Sequence, residues 1–331
     1  MNAMRIAFLQ GKRQRERVFL PELIEQFRQV GEVVLNEEAG DPSEDRMAEL
    51  ARDADIAVTS WGCGPLTRRV LDRAPRLRLV LHAAGSVKPI LSPELWARGI
   101  RVSQAAAALS RGVAETALAL TIASLKDMWR LSRATREGAW GPTDSVREMY
   151  GVRIGVLGAG RAGSQYIRLL RAFDVEILVY DPYVDEAAAA AIGARKAGLE
   201  ETLRESDVVS VHLPSLPETY RLLNRDRLAL LKDSCVLINT ARGAVIDEEA
   251  LAAELRRGRL FACLDVTDPE PPAPDHPFRT LPNVILLPHI AGAVSNGLHR
   301  VGRFALEELR SYSEGRPLEG EVTAANAHLL A

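Results

Sequence analysis

The stretch "RIGVLGAGRAGSQYIRLLRAF", Arg153 to Phe173, restricts the fold more than any other part of the chain. A Val/Ile strand runs into glycines at 158, 160 and 163 and then into an amphipathic helix, the G-x-G-x-x-G arrangement. Gly158 permits a tight turn, Gly160 lets backbone approach a pyrophosphate, and Gly163 lets helix and strand pack closely, with phosphates at the helix N-terminus. The next strand, "EILVY", ends at Asp181, eighteen positions after Gly163. A carboxylate there accepts hydrogen bonds from adenosine ribose hydroxyls and repels a 2′-phosphate, so the pattern favours NAD over NADP. A glycine turn without nucleotide and an S-adenosylmethionine site are the alternatives at this level.

The same strand–helix rhythm occurs twice. From Met4 to Val102, "RIAFL", "EVVL", "DIAVTS", "LRLVLHA" and "IRVS" alternate with amphipathic stretches, and from Arg153 on, "VEILVYDPY", "DVVSVHLP", "CVLINTARG", "LFACLDV" and "NVILLPHIAG" do the same. Strands apolar on both faces belong to parallel sheets covered by helices on both sides, so the fold class is α/β with two doubly wound parallel-sheet domains. Leu109 to Trp140 has apolar residues at helical spacing and reads as one long helix or two in succession, before "GPTDS" breaks the pattern. "SNGLHRVGRFALEELRSYSEGRPL" is a further amphipathic helix with a Gly/Pro stop.

A length of 331 residues suits two such domains, and 42 Lys+Arg against 44 Asp+Glu, net −2, provide no electrostatic footprint for nucleic acid or an anionic membrane. A small-molecule partner is expected. Cys63, Cys235 and Cys263 are far apart and set among apolar residues, which suggests buried thiols in a reducing, cytoplasmic setting rather than disulfides or a metal site. No apolar run is expected to approach the roughly 20 residues of a membrane span, and the start lacks a signal-peptide pattern, with Met1 or Met4 as the initiator.

Four further residues fall at or shortly after the ends of strands of the second half. Arg242 follows "CVLINT", at the carboxyl edge where open α/β sheets bind ligands, and its planar fork suits a carboxylate; the plainer alternative is an ion pair with Asp247 or Glu248. Asp265 and Glu270 lie in "CLDVTDPEPPAP", and His289 follows Pro288 in "VILLPHIAG".

With these motifs in their order, "GVLGAGRAG", "VYDP", "VHLPSLPET", "INTARGAVIDEEAL", "LDVTDPEPP" and "LLPHIAG", the chain resembles the D-isomer-specific 2-hydroxyacid dehydrogenases over most of Gly151 to Gly292. The resemblance implies that Arg242 binds the substrate carboxylate and 2-oxo group, that His289 is the acid/base, and that Glu270 holds and charges the imidazole. It implies backbone contacts to the pyrophosphate from Arg161 and Ala162 and a nicotinamide contact from Asp265. His212, Leu213, Pro214, Thr240, Ala241 and Gly292 then line the NAD path. It also implies a Rossmann-type dinucleotide domain, 105–292, inserted into a discontinuous flavodoxin-like substrate domain, 1–104 and 293–331, with the active site in the cleft. "VAETALAL" matches a region that crosses between domains and builds a homodimer interface. Ala84, Gly85 and Ser86 in "HAAGSVKPILSPELW" correspond to the substrate loop, whereas Val87, Lys88 and Pro89 depart from the family pattern and leave the acid unidentified. An NAD(H)-sensing binding protein of the corepressor type, on the same fold, is the alternative to an enzyme.

Overall fold

The computed structural model describes residues 4–327 and Leu330, and the chain divides into two compact units, 1–109 with 293–331 and 110–292. In the first unit β1 (Arg5–Phe8), β2 (Glu32–Leu35), β3 (Ile56–Thr59), β4 (Leu79–His82) and β5 (Arg101–Gln104) pair in parallel in the order β5-β4-β3-β1-β2. The short strand Glu321–Val322 adds to β5 in antiparallel fashion. This is the flavodoxin-type order, in which connections leave the carboxyl edge of the sheet in both directions. Each face has its own core. On one, Phe8, Phe19 and Phe27 meet edge-to-face at 5.0, 5.1 and 5.7 Å between centroids, and the helix Leu298–Ser313 adds Leu298, Val301 and Leu309 to them.

In the second unit β6 (Tyr150–Leu157), β7 (Asp174–Tyr180), β8 (Arg195–Lys196), β9 (Val208–Val211), β10 (Cys235–Asn239), β11 (Leu260–Leu264) and β12 (Val284–Leu286) form a seven-stranded sheet, order β12-β11-β10-β9-β6-β7-β8. All its pairings are parallel. The strand order reverses between β6 and β9, so the loops after those two strands flank the topological switch point where such sheets take ligands. Ile154, Val156, Val208, Val236 and Ile238 on one face and Val209, Val211, Leu237 and Leu264 on the other are buried beneath helices, which explains the unbroken Val/Ile/Leu runs.

The stretch after β5 forms two helices, Ala106–Leu125 and Met128–Arg136, separated by Asp127 in left-handed conformation. One expectation is corrected here. Ala106–Leu125 is, by length and composition, apolar enough to cross a membrane. Alanine richness gives it that character; within the second unit it turns Ala114, Ala117, Leu120 and Leu125 into the core and bonds Thr121 Oγ1 to Tyr166 Oη at 2.6 Å. The three cysteines are buried free thiols, each pushed up to about 12 by burial.

Candidate active site

Gly158 follows β6 with φ 97°, a conformation that favours glycine, and its N–H bonds Tyr180 O at 2.8 Å. A Cβ on Gly163 would lie 2.0 Å from Gly158 O, so only glycine lets the helix Arg161–Leu170 start this close to the strand. Gly160 caps that helix without a side-chain cap bond, and the space beside its Cα is open. The first turn, including Arg161 and Ala162, therefore presents the positive end of the helix at an uncovered glycine. Asp181 closes the turn from β7: Oδ2 accepts Ala159 N–H at 2.7 Å and Oδ1 accepts Tyr183 N–H at 2.8 Å.

Across the switch point, His212, Leu213 and Pro214 follow β9. His212 is held by Ser210 Oγ at Nε2, 2.9 Å, and by the Tyr166 ring at 5.2 Å, and burial pushes its imidazole down to about 4. Its Nδ1 and the Thr240 Oγ1 are buried and have no hydrogen-bond partner among the described residues. Orphaned polar atoms beside an open glycine turn are what a polar ligand satisfies, and the residues at this edge fit a dinucleotide.

The turn that delivers Arg242 is built by Asn239, a residue that the sequence reading passed over. Its Oδ1 accepts Ala241 N–H at 3.0 Å and its Nδ2 donates to Arg242 O at 2.9 Å. A polar residue closing an otherwise apolar strand just before a turn was the available signal. Arg242 makes no ion pair among the described residues: Asp247 caps the helix Glu248–Arg256, and Glu248 is engaged elsewhere. Burial lowers the Arg242 guanidinium from its ordinary value, the Glu270 charge opposes this, and so alkaline a group remains cationic. Packing against a neighbouring loop explains why glycine follows Arg242 in the motif. A Cβ there would lie 2.1 Å from the Thr267 carbonyl carbon, so glycine lets the arginine turn rest on the loop leading to Glu270.

His289 is fixed from two sides. Its backbone has φ 54°, uncommon for a residue with a side chain, and its N–H bonds Asp265 O at 3.0 Å. The Asp265 carboxylate accepts Ile290 N–H and Ala291 N–H, each at 2.8 Å. Burial raises the Asp265 carboxyl and those two bonds oppose the rise. Both Asp265 oxygens are thus committed to the backbone around His289, a role that the motif reading did not assign. Gly292 ends this segment, its carbonyl oxygen 3.2 Å from the Cβ position of Gly112. The His289 ring meets Glu270, Nδ1 lying 2.8 Å from Oε1 and 2.9 Å from Oε2. With Glu270 ionised, Nδ1 carries the proton of the neutral ring and Nε2 is left to exchange one. The His289 side chain is 51% exposed, so that nitrogen is accessible.

Ala84, Gly85 and Ser86 belong to the first unit, after β4. Their turn is tied by groups the sequence reading did not single out: His82 Nε2 contacts Ser86 O at 2.9 Å, its Nδ1 contacts Thr59 Oγ1 at 2.9 Å, and Ser60 Oγ donates to Ala83 O at 2.8 Å. Since Ser86 O can only accept, Nε2 bears the proton and Thr59 donates to Nδ1. Burial pushes this imidazole down to about 4.

A family model described as D-isomer specific 2-hydroxyacid dehydrogenase, NAD binding domain, matches residues 118–291. Glyoxylate reductase of Korarchaeum cryptofilum is 34% identical over 280 residues, 83% of this chain and 84% of that protein. The chain belongs to the D-isomer-specific 2-hydroxyacid dehydrogenase family. D-3-phosphoglycerate dehydrogenase of Methanocaldococcus jannaschii is 32% identical over 90% of the chain, which spans just 56% of that longer protein. Among solved structures, D-lactate dehydrogenase of Aquifex aeolicus complexed with NAD and lactic acid is 26% identical, with TM-score 0.72 over 94% of this chain and 96% of that one. In this 2-hydroxyacid dehydrogenase family member, residues 118–291 are the NAD-binding domain, and the glycine turn, Asp181, Arg242, Glu270 and His289 all fall within them.

Proposed function

We propose that this chain interconverts a small D-2-hydroxy acid and its 2-oxo acid with NAD as hydride carrier, and the observation that carries the reading is the Glu270–His289 pair. Its two ring-to-carboxylate distances of 2.8 and 2.9 Å lie at the same sheet edge as a half-buried arginine that has no ion pair among the described residues. The Gly158–Gly163 turn and Asp181 hold NAD, which when bound supplies or accepts the hydride at the substrate's C2. Arg242 grips the carboxylate with two N–H bonds and opposes the negative charge that builds on the 2-oxo oxygen. His289 Nε2 gives that oxygen its proton in reduction and takes it back in oxidation, while the Glu270 carboxylate stabilises the imidazolium. Ala84, Gly85 and Ser86 recognise the acid with backbone N–H groups. The exposed Met128, Trp129 and Trp140, on or after a helix that buries no residue, support a homodimer, and three buried free thiols accord with the cytoplasm. Relatives named as dehydrogenases and reductases favour an enzyme over a cofactor-sensing protein.

The test is a panel of 2-oxo acids, with phosphite and formate, followed by NADH or NAD absorbance. A small 2-oxo acid should consume NADH; cofactor binding with no turnover of any acid would favour the sensing protein.

A further inference from the structure

Glu248 opens the helix Glu248–Arg256, which Asp247 caps by accepting Ala250 N–H at 3.0 Å. Its side chain leaves the helix and enters the loop that carries Glu270. Oε1 accepts Asp268 N–H at 2.9 Å, and Oε2 lies 3.2 Å from His276 Nε2. His276 Nδ1 accepts Phe278 N–H at 3.3 Å, so the proton of the neutral ring sits on Nε2, the nitrogen on the side of Glu248. The ring is braced edge-on against Phe278 at 4.6 Å. One carboxylate thus takes an N–H bond from Asp268 on one side of Glu270 and meets the His276 ring on the other.

The position is costly. Burial pushes the Glu248 carboxyl up to about 7, with the Asp268 charge adding to the rise and the Asp268 N–H and Arg221 opposing it. A half-buried carboxylate bonded to a loop N–H contributes less to a core than an apolar residue of similar volume, so its effect is sought in what the loop holds. The segment containing Glu248 also carries Arg242, and Gly243 already rests against the Thr267–Asp268 peptide. The arginine turn and the Glu270 loop are therefore joined at two points, one the close approach of Gly243 and one the Asp268 N–H bond to Glu248.

We propose that Glu248, backed by His276, is a positioning residue for the reaction, holding the Asp268–His276 loop so that Glu270 keeps its register on His289 while Arg242 keeps the substrate. This role rests on reading Glu270 and His289 as the acid/base pair. A displacement of about 1 Å at such a pair can cost on the order of 100-fold in rate.

Glu248→Ala, Glu248→Gln and, as a control, the exposed neighbour Glu249→Ala are compared in the full chain by hydrogen exchange and by kinetics. In Glu248→Ala, exchange across 265–276 should quicken while the rest of the unit keeps its protection, and kcat should fall about tenfold to 100-fold with the NADH KM within about twofold. Glu248→Gln keeps an oxygen for Asp268 N–H and should restore most of both; Glu249→Ala should match the parent protein. Parent-like exchange and kcat in Glu248→Ala would overturn the role, as would uniform loss of protection that Glu248→Gln does not repair. A parent protein that turns over no 2-oxo acid would instead fault the reaction reading, and this role with it, whatever the exchange shows.

Discussion

At the carboxyl edge of β10, β11 and β12 stand Arg242, Asp265, Glu270 and His289; at that of β1, β3, β4 and β5 stand Gln10, Thr59, Ser60, His82 and Gln104. Apart from the short antiparallel strand Glu321–Val322, both sheets are parallel, and both are covered by apolar layers on both faces, yet one edge is ionic and the other is neutral and buried. Gln10 is fully buried, and neither its Oε1 nor its Nε2 has a partner among the described residues. The difference separates two tasks. On the proposed reading, moving a hydride and a proton generates charge, which fixed charges at the second edge would meet. On the same proposed reading, recognition of a small acid needs oriented dipoles, and the first edge would supply them through backbone turned by neutral side chains.

Removing a charged group at the second edge should cost the most. His289→Ala should lower kcat by about 1,000-fold, within the range usual for a lost general acid, and Arg242→Leu should lower kcat/KM by a comparable factor. Both variants should bind NADH and melt like the parent, measured by fluorescence titration and calorimetry. If Arg242→Leu unfolds the unit instead, the arginine is structural and the contrast between the edges collapses.

Glu270→Gln tests the same edge through its charge alone. Reduction needs imidazolium and oxidation needs neutral imidazole, and the Glu270 carboxylate favours the charged ring. Deleting that charge while keeping the shape should lower the rate of 2-oxo acid reduction about tenfold, with NADH binding unchanged. A parent-like rate under conditions where chemistry is limiting would remove Glu270 from the proton path.

The neutral edge should reveal itself in stability. His82 is held down to about 4 in the folded chain against an ordinary value of 6.5, so the unfolded chain binds the extra proton between those values. Its contribution is complete above pH 6.5, and acidification through 4 removes it, a loss of up to about 3 kcal/mol. His82→Gln keeps a donor for Ser86 O and should flatten the decline in urea midpoint between pH 7 and 4.5. An unchanged decline would contradict a neutral His82. The smallest effect belongs to Asp181→Ala, which should narrow the preference for NADH over NADPH by about tenfold in binding titrations.

The two edges were not equally readable in the sequence. Glycines, an arginine and a histidine at strand ends are conspicuous because apolar strands make charge and backbone freedom stand out, and that is how Gly158, Asp181, Arg242 and His289 were found. Asn239, His82, Thr59 and Gln10 act by hydrogen bonds or burial that depend on which strands become neighbours, and β3 and β4 meet only once the sheet order is set. Spacing could place Asp265 at a strand end, but its bonds to Ile290 and Ala291 depend on the pairing of β11 with β12. The alanine-rich helix Ala106–Leu125 was misjudged for a related reason: composition reports apolarity, not what covers it.

The most direct measurement uses NADH deuterated at the transferable position of nicotinamide C4 with a 2-oxo acid of three or more carbons that the protein turns over. The product should be the D-2-hydroxy acid carrying one deuterium at C2, read by mass spectrometry after chiral separation. An L product, or a product without deuterium at C2, would contradict direct hydride transfer at an edge organised by Arg242 and His289.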